Sequence, residues 1–186
     1  MSFFKLLLAF APWLGFLVIA HVNLTLGLLV ALALSVVMGV TGLHRGVILW
    51  SGLLFFCFAT LFVGVLHNIW TMRHMGILAN AFLAGSSWLT IAIGKPFSLD
   101  YAREHTDPSL WNSPDFIATN LAITAAWATV FSVNAVLAWG KMEHVVLPGL
   151  GFDAVSYSLL IGTAAFTAWY PGIRRRAREQ ALNEGG

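Results

Sequence analysis

Six apolar stretches, each about the length that crosses a lipid bilayer, follow one another along this chain. A helix needs roughly 20 apolar residues to cross the hydrocarbon core, because no backbone polar group can stay unpaired in lipid. The stretches lie at about Phe3–Val22, Leu24–Leu43, Val47–Leu66, Gly76–Ile93, Phe116–Trp139 and Ala154–Tyr170. The sequence therefore predicts an all-α integral membrane protein with about six transmembrane helices, built as one polytopic domain over residues 1–186.

The scarcity of charged residues excludes a soluble fold. Of the 186 residues, 59% are hydrophobic and only 10% are charged, and the mean hydropathy is +0.81. A soluble domain usually carries about a quarter charged residues, which surround its core. The single cysteine, Cys57, lies inside an apolar stretch, so the sequence has neither a disulfide framework nor a CxxC motif.

The first apolar stretch is the least regular one. Lys5 and Pro12 interrupt it, and only the residues HVN separate it from the second stretch. It shows no small-x-small cleavage site followed by a polar sequence, so we expect it to be retained as a span. The first two stretches are predicted to form either a tight helical hairpin or a single bent or re-entrant element.

The distribution of lysine and arginine predicts the orientation in the membrane. With six spans and both ends on one side, eight of the ten basic residues lie on that side. They are Lys5, Arg45, Lys95, Arg103, Arg174, Arg175, Arg176 and Arg178. Only Arg73 and Lys141 lie on the other side. Because positive charge accumulates in cytoplasmic loops, both termini are predicted to be cytoplasmic. The four arginines of the tail, residues 171–186, are predicted to contact anionic lipid headgroups, at about 1 kcal/mol each.

The longest polar segment, residues 95–115, lies on the predicted cytoplasmic side. Lys95 precedes Pro96, which ends the fourth helix. Ser98 is placed to cap a short amphipathic helix, and Ser113 is placed to cap the fifth span. We expect the short helix to lie on the membrane or against the helix bundle, with acidic residues that serve structure rather than catalysis. The residues predicted to contact a cytoplasmic partner are Tyr101, Arg103 and Glu104.

The loop and helix over residues 94–127 read GKPFSLDYAREHTDPSLWNSPDFIATNLAITAAW. This sequence resembles the signature of bacterial intracellular septation protein A-like membrane proteins. In them Gly-(Arg/Lys)-Pro-Phe-Thr is followed by Tyr-Ala-Arg-Glu, Trp-x-x-Pro and an Asn before a Trp-containing span. The matching residues are Gly94, Lys95, Pro96, Phe97, Tyr101, Ala102, Arg103, Glu104, Trp111, Pro114, Asn120 and Trp127. Ser98 stands where Thr is usual. The resemblance implies a bacterial inner-membrane protein with an envelope-associated role and no enzymatic chemistry to carry over.

Polar side chains within the spans predict which helices pack together. Asn120, Thr124 and Asn134 share one face of the fifth span, and Asn80 and Ser87 share one face of the fourth. In lipid, such groups usually form hydrogen bonds between helices. The fourth and fifth spans are therefore predicted to pack against each other.

Two further observations concern these spans. Ala81 and Gly85 are small enough to allow a close approach of the fourth span to a neighbour. Apart from Lys5, no Asp, Glu, Lys or Arg lies deep in a predicted span. This absence argues against a proton-coupled pump or an ion transporter, which need ionisable groups in the membrane.

Four histidines lie at the outer face in this topology: His21, His67, His74 and His144. His67 and His74 are one heptad apart, so an uninterrupted helix would place them on the same side. Neutral imidazoles can ligate copper, zinc or a haem iron. Because HxH and HExxH motifs are absent, a metal site is the weaker interpretation, and single histidines at an interface are the stronger one.

These observations favour a non-enzymatic membrane protein that acts through interactions, as a scaffold or envelope factor. One alternative is an accessory subunit of a larger membrane complex, such as an electron-transfer, photosynthetic or oxygenase assembly. Another is a membrane protein that handles a metal or small molecule through its outer histidines. The expected partners are the lipid bilayer and other membrane subunits or further copies of the chain, and nucleic acid is not expected. The sequence does not identify a cofactor.

Overall fold

The computed structural model describes residues 8, 10–42, 46–104, 106–143 and 149–184, without the side chains of residues 149–150, 177–179 and 181–184. Among the residues singled out by the sequence, Lys5, Arg45, His144 and the side chain of Arg178 lie outside this description. Nearly all of the described chain is helical, and none of the described residues lies in a β-strand.

The helices follow one another along the whole described chain. They are α1 Ala11–Ile19, α2 Leu24–Val40, α3 Val47–Ala59, α4 Ile69–Arg73, α5 Met75–Ala92, α6 Ser98–Arg103, α7 Pro114–Met142 and α8 Gly149–Glu184. A π-helix over Thr60–Val65 continues α3 directly, and Pro108–Leu110 forms a single 3-10 turn.

Within the described ranges, three helical segments are long and apolar enough to cross a membrane: Val47–Val65, Met75–Ala92 and Pro114–Met142. The 17 residues of α2 form a shorter apolar helix. These segments support the prediction of an all-α membrane protein, while the number of six spans stays a prediction. The last helix differs from its predicted bounds, because α8 runs through Pro171 to Glu184. Residues 171–184 therefore continue a helix instead of forming a separate tail.

The first two helices form a hairpin. They pack closely along each other, and the short connection between them ends at Asn23. The Asn23 side chain accepts a hydrogen bond from the Leu26 backbone N–H at 2.9 Å, which caps α2. A Cβ atom added to Gly27 would lie only 2.8 Å from the Ala20 backbone nitrogen, so glycine permits the close approach. The described residues therefore form two helices joined by a turn and not a single bent helix, while the choice between a membrane-spanning hairpin and a re-entrant element stays a prediction.

The helical structure is interrupted at His67. This residue has a φ of 48°, in the left-handed region, directly after the π-helix. Asn68 then starts α4 by accepting a hydrogen bond from the Thr71 backbone N–H at 2.8 Å. The uninterrupted helix that would place His67 and His74 on one side is therefore not formed, because two separate helices flank this turn.

The most extensive contact between helices joins α5 and α7, which confirms that the fourth and fifth predicted spans pack together. The small residues at this contact differ from those expected. A Cβ atom on Gly76 would lie 3.5 Å from the Ala138 Cβ, whereas one on Gly85 would meet no atom within 4 Å. Ala81 is exposed. The close approach therefore occurs at Gly76, one end of α5, and not at Ala81 and Gly85.

Aromatic side chains of α1 and of Phe10, the residue directly before it, fill the core on both sides of this helix. Trp13 stacks on Phe55 of α3 with ring centroids 5.1 Å apart. Phe10 stacks on Trp127 of α7, also at 5.1 Å. Such offset ring pairs contribute about 0.5–1.5 kcal/mol beyond the burial of their area. They place α1 between α3 and α7.

Candidate functional site

A cavity of about 280 Å³ lies among α1, α5, α7 and α8. Its lining residues are Phe10, Trp13, Leu14, Phe16, Leu17, Gly76, Ala79, Asn80, Leu83, Trp127, Phe131, Leu160, Ile161 and Ala164. None of these side chains is charged, and Asn80 is the one amide among them. Concave, mostly apolar sites of this scale typically hold small molecules or cofactors.

One wall of the cavity is an aromatic cluster. Trp127 and Phe131 are four residues apart on α7, so both project from the same face, with ring centroids 5.5 Å apart. Phe10, the residue directly before α1, packs against both of them, at 5.1 Å from Trp127 and 6.1 Å from Phe131. The cluster is buried and forms a continuous apolar surface.

Two polar groups of the walls already donate hydrogen bonds within the protein. Asn80 Nδ2 donates to the Gly76 carbonyl oxygen at 2.9 Å. Trp127 Nε1 donates to Thr167 Oγ1 at 3.0 Å. Trp13 Nε1 is buried and has no hydrogen-bond partner among the described residues. This nitrogen lies against Gly52 of α3, since a Cβ atom added to Gly52 would be 3.0 Å from it. The cavity therefore offers little hydrogen bonding to an occupant.

Lining residues of both α1 and α8 are exposed, which indicates an opening of the cavity between these two helices. Two apolar residues at this opening are exposed: Leu14 of α1 by 45% and Ile161 of α8 by 70%. Beyond the end of α1, the Tyr157 hydroxyl of α8 lies 3.2 Å from His21 Nε2. His21 Nδ1 lies 2.7 Å from the Leu17 carbonyl oxygen and so carries a proton. A neutral His21 then accepts from Tyr157, and this hydrogen bond bridges α1 and α8 at one end of the opening.

A second site is formed by the polar segment that follows α5. Gly94 takes a φ of 71° where α5 ends, a conformation that favours glycine. The Ser98 hydroxyl lies 2.9 Å from the Asn120 carbonyl oxygen and 3.0 Å from Asn120 Oδ1. Thr124 Oγ1 donates to Ser98 Oγ at 3.1 Å. Of the two predicted positions for α6, the structure shows the position against the bundle. Asn120 and Thr124, which lie 22 and 26 positions after Ser98 in the chain, hold the helix there.

The capping predictions for this segment have different outcomes. Ser98 does not cap α6 and instead makes these tertiary hydrogen bonds. Ser113 does cap α7, since its Oγ accepts from the Phe116 backbone N–H at 3.3 Å. Asp107 caps the 3-10 turn by accepting from the Ser109 backbone N–H at 2.8 Å, and this hydrogen bond lowers the pKa of its carboxyl.

The three residues predicted to contact a partner have very different environments. Tyr101 is only 1% exposed, because α6 turns this side towards the bundle, so its side chain is not accessible for the predicted partner contact in this arrangement. Burial raises the pKa of the Tyr101 hydroxyl, and the negative charges of Asp100 and Glu104 raise it further. Arg103 is half-buried with its guanidinium 5.5 Å from the centre of the Trp111 ring, and Glu104 is exposed.

The polar residues predicted to link α5 and α7 do so less directly than expected. Asn120 and Thr124 bond to Ser98 of α6, and Asn80 bonds within α5. Ser87 Oγ and Asn134 Oδ1 are buried without a hydrogen-bond partner among the described residues. The direct link is one the sequence did not reveal: Trp88 Nε1 donates to Ser132 Oγ at 3.2 Å.

The structure does not bring together the three outer histidines that it describes, His21, His67 and His74. His74 stacks on Trp70, and its Nδ1 lies 2.8 Å from the Trp70 carbonyl oxygen. His67 is exposed in its turn, and His21 pairs with Tyr157. Within the described part of the chain, no three His, Cys, Asp or Glu side chains are arranged to hold a metal ion.

The predicted headgroup-binding arginines lie at the end of α8. Arg174 Nη2 forms an ion pair with Asp115 Oδ1 of α7 at 3.3 Å. The side chains of Arg174, Arg175 and Arg176 are exposed. This arrangement leaves the lipid contact a prediction, and it shows that the end of α8 lies beside the start of α7.

The sequence interpretation missed the cavity. One signal was present, since Phe10, Trp13, Phe16 and Leu17 recur at helical spacing in the first apolar stretch.

The comparison with family models, curated proteins and solved structures finds no match for this chain. The resemblance to septation protein A-like proteins therefore depends on the residues quoted above alone.

Proposed function

We propose that this chain is a non-enzymatic membrane protein that binds a hydrophobic molecule of the bilayer in the cavity among α1, α5, α7 and α8. The observation that carries this proposal is the cavity itself, about 280 Å³ in volume and walled almost entirely by apolar side chains. An apolar cavity of about half this size can stay dry and take up an apolar ligand. A binding role also fits the interaction function predicted from the sequence.

The proposal is tested by filling the cavity. Ala164 lines it, whereas the neighbouring Ala165 on α8 is exposed outside it. We expect the wild-type protein, purified in mild detergent, to retain a hydrophobic molecule in native mass spectrometry and solvent extraction. Ala164→Phe should lose this molecule, and the matched control Ala165→Phe should keep it. Equal retention by both variants, or none by the wild type, would contradict the proposal.

We further propose six spans in a bacterial inner membrane, with both termini in the cytoplasm. Helices of the described chain lie at all of the predicted span positions. The ion pair between Arg174 and Asp115 places the start of α7 and this part of α8 side by side. This arrangement is compatible with one crossing by α7 and a return crossing by α8. In a Cys57→Ser background, a membrane-impermeant thiol reagent on intact spheroplasts should label Glu143→Cys but not Ser109→Cys. The opposite pattern would reverse the orientation.

A second candidate function is that of a subunit or scaffold that contacts a cytoplasmic partner. Glu104 and Leu110 favour it, because both are exposed on the predicted cytoplasmic segment and Leu110 is apolar. If another protein chain co-purifies in equal amount, we expect the Glu104→Lys variant to purify without it. The control Glu143→Lys, at the predicted outer side, should retain it. A protein that purifies alone under mild conditions would contradict this second candidate.

A further inference from the structure

We infer that the occupant of the cavity is a single hydrocarbon chain of a membrane lipid, which enters sideways between α1 and α8. This inference depends on the proposed binding function and specifies its ligand class and route. The first argument concerns polarity. No lining side chain among the described residues is charged. The Trp127 N–H and one N–H of the Asn80 amide already donate within the protein, and the Trp13 N–H lies against Gly52 of α3.

A ligand with a polar ring would enter this cavity at a cost. Transferring an unpaired carbonyl or hydroxyl group into apolar surroundings costs roughly 2–7 kcal/mol. Among the described residues, the walls near Trp127 and Phe131 present ring faces, and the Trp127 N–H is already bonded to Thr167, so that a quinone-like or other oxygenated headgroup would find no donor from these two side chains. A hydrocarbon chain has no such groups, so the chemistry of the walls selects it.

The driving force is packing rather than the hydrophobic effect, because lipid tails are already in an apolar medium. An unfilled cavity leaves the faces of Phe10, Trp127 and Phe131 without contacts on one side, and these dispersion contacts are lost outright. A flexible chain restores them. Binding of this kind is reversible and depends on the shape of the cavity, so a side chain that fills the space should compete with the lipid.

The route follows from the position of the opening. Leu14 and Ile161 are exposed and apolar where α1 and α8 part. The His21–Tyr157 hydrogen bond closes the same gap at one end, at 3.2 Å. Tyr157 is about one helical turn, or roughly 6 Å, from Ile161. An occupant coming from the water at that end meets the bridge, whereas a chain in the bilayer reaches the apolar rim directly.

The experiment uses the full chain in phosphatidylcholine vesicles, with phosphatidylcholine that carries a diazirine in the middle of one acyl chain as the probe. A short-tailed benzoquinone with a diazirine on its ring is the second probe. After photolysis, labelled peptides are located by mass spectrometry and normalised to labelling of exposed Leu54 of α3. We expect the chain probe to label the lining of α1 and α8, residues 13–17 and 160–164.

Ala164→Phe should reduce this labelling by about tenfold, which corresponds to about 1.4 kcal/mol, and Ala165→Phe should leave it unchanged. If Ala164→Phe fails to fold, Ala79→Leu fills the cavity from α5. In the Cys57→Ser background, joining Leu14→Cys to Ile161→Cys with a flexible bis-maleimide before reconstitution should also reduce labelling.

Each contrary result is distinct. Labelling of the lining by the quinone and not by the chain would overturn the inference and leave the proposed binding function intact. Labelling by neither probe would overturn both. Unchanged labelling after the opening is joined would overturn the lateral route.

Discussion

The hydroxyl group of Ser98 lies within 3.0 Å of the side-chain oxygen of Asn120, a residue 22 positions later in the chain. Both residues are buried, and Thr124 Oγ1 donates to the same hydroxyl at 3.1 Å. A short polar segment is thereby fixed to the side of α7 by hydrogen bonds that do not follow from local helix rules. This cluster is the structural reason why α6 lies inside the bundle.

Removal of the Ser98 hydroxyl should destabilise the protein. In Ser98→Ala, Asn120 Oδ1 loses its donor and Thr124 Oγ1 its acceptor while both stay buried, which costs about 1–3 kcal/mol. For a chain of this length, 1 kcal/mol corresponds to about 2–4 °C in Tm. Thermal unfolding in detergent measures the shift, and Ser158→Ala on the exposed face of α8 serves as control. Equal Tm values for the two variants would show that the cluster contributes no stability.

The buried hydroxyl of Tyr101 should make stability depend on pH in the alkaline range. The pKa of this hydroxyl is raised in the folded protein, mainly by burial, whereas the same tyrosine in the unfolded chain ionises at about pH 10. The unfolded state therefore loses its proton first, so stability is complete below about pH 10 and decreases as the pH rises further. We expect Tyr101→Phe to flatten the decrease of Tm between about pH 9.5 and 11. A wild-type Tm that is constant over this interval would contradict the prediction.

The sequence predicted the apolar helices well, since long runs without charge leave helix as the main possibility in lipid. Val47–Val65 and Met75–Ala92 nearly coincide with the predicted third and fourth spans. Side-chain partners were predicted poorly. Ser98 satisfied a local capping rule, but the Asn120 amide competed for it from another helix. The sequence analysis grouped Tyr101 with Glu104 as contacts for a partner, whereas the structure buries Tyr101 and exposes Glu104.

The cavity could not be predicted, because its volume depends on the side chains of several helices that are distant in sequence. Phe10 and Trp127 are 117 positions apart, yet their rings stack at 5.1 Å. Aromatic residues at helical spacing indicated a buried face, and they did not indicate that the opposing face of α8 carries only small and aliphatic residues there. Such gaps follow from packing geometry, which hydropathy does not encode.

The close approach of α1 and α2 should depend on Gly27. Its Cβ position lies 2.8 Å from the Ala20 nitrogen and 3.0 Å from the Ala20 Cα, and these backbone atoms cannot move without shifting the turn. Gly27→Ala should destabilise the protein by about 1–3 kcal/mol, as overpacking does. Gly85→Ala is the matched control, since it meets no atom within 4 Å and should be neutral or stabilise by up to about 1 kcal/mol. Thermal unfolding of both variants checks this, and a Gly27→Ala variant as stable as Gly85→Ala would contradict it.

The hydrogen bond between Trp127 and Thr167 should stabilise the packing of α7 against α8. Trp127 Nε1 donates to Thr167 Oγ1 at 3.0 Å, and Thr167 in turn donates to the Thr163 carbonyl oxygen at 2.8 Å. Thr167→Val keeps the shape and removes the hydroxyl, so the buried indole N–H loses its partner at a cost of about 1–3 kcal/mol. Thr167→Ser keeps the hydroxyl and loses only a methyl group, which costs about 1 kcal/mol. The Tm of Thr167→Val should therefore lie below that of Thr167→Ser, and its Trp127 N–H signal in ultraviolet resonance Raman spectra should shift to that of an unbonded indole. If the serine variant is the less stable of the two, packing of the methyl group and not the hydrogen bond holds α7 to α8.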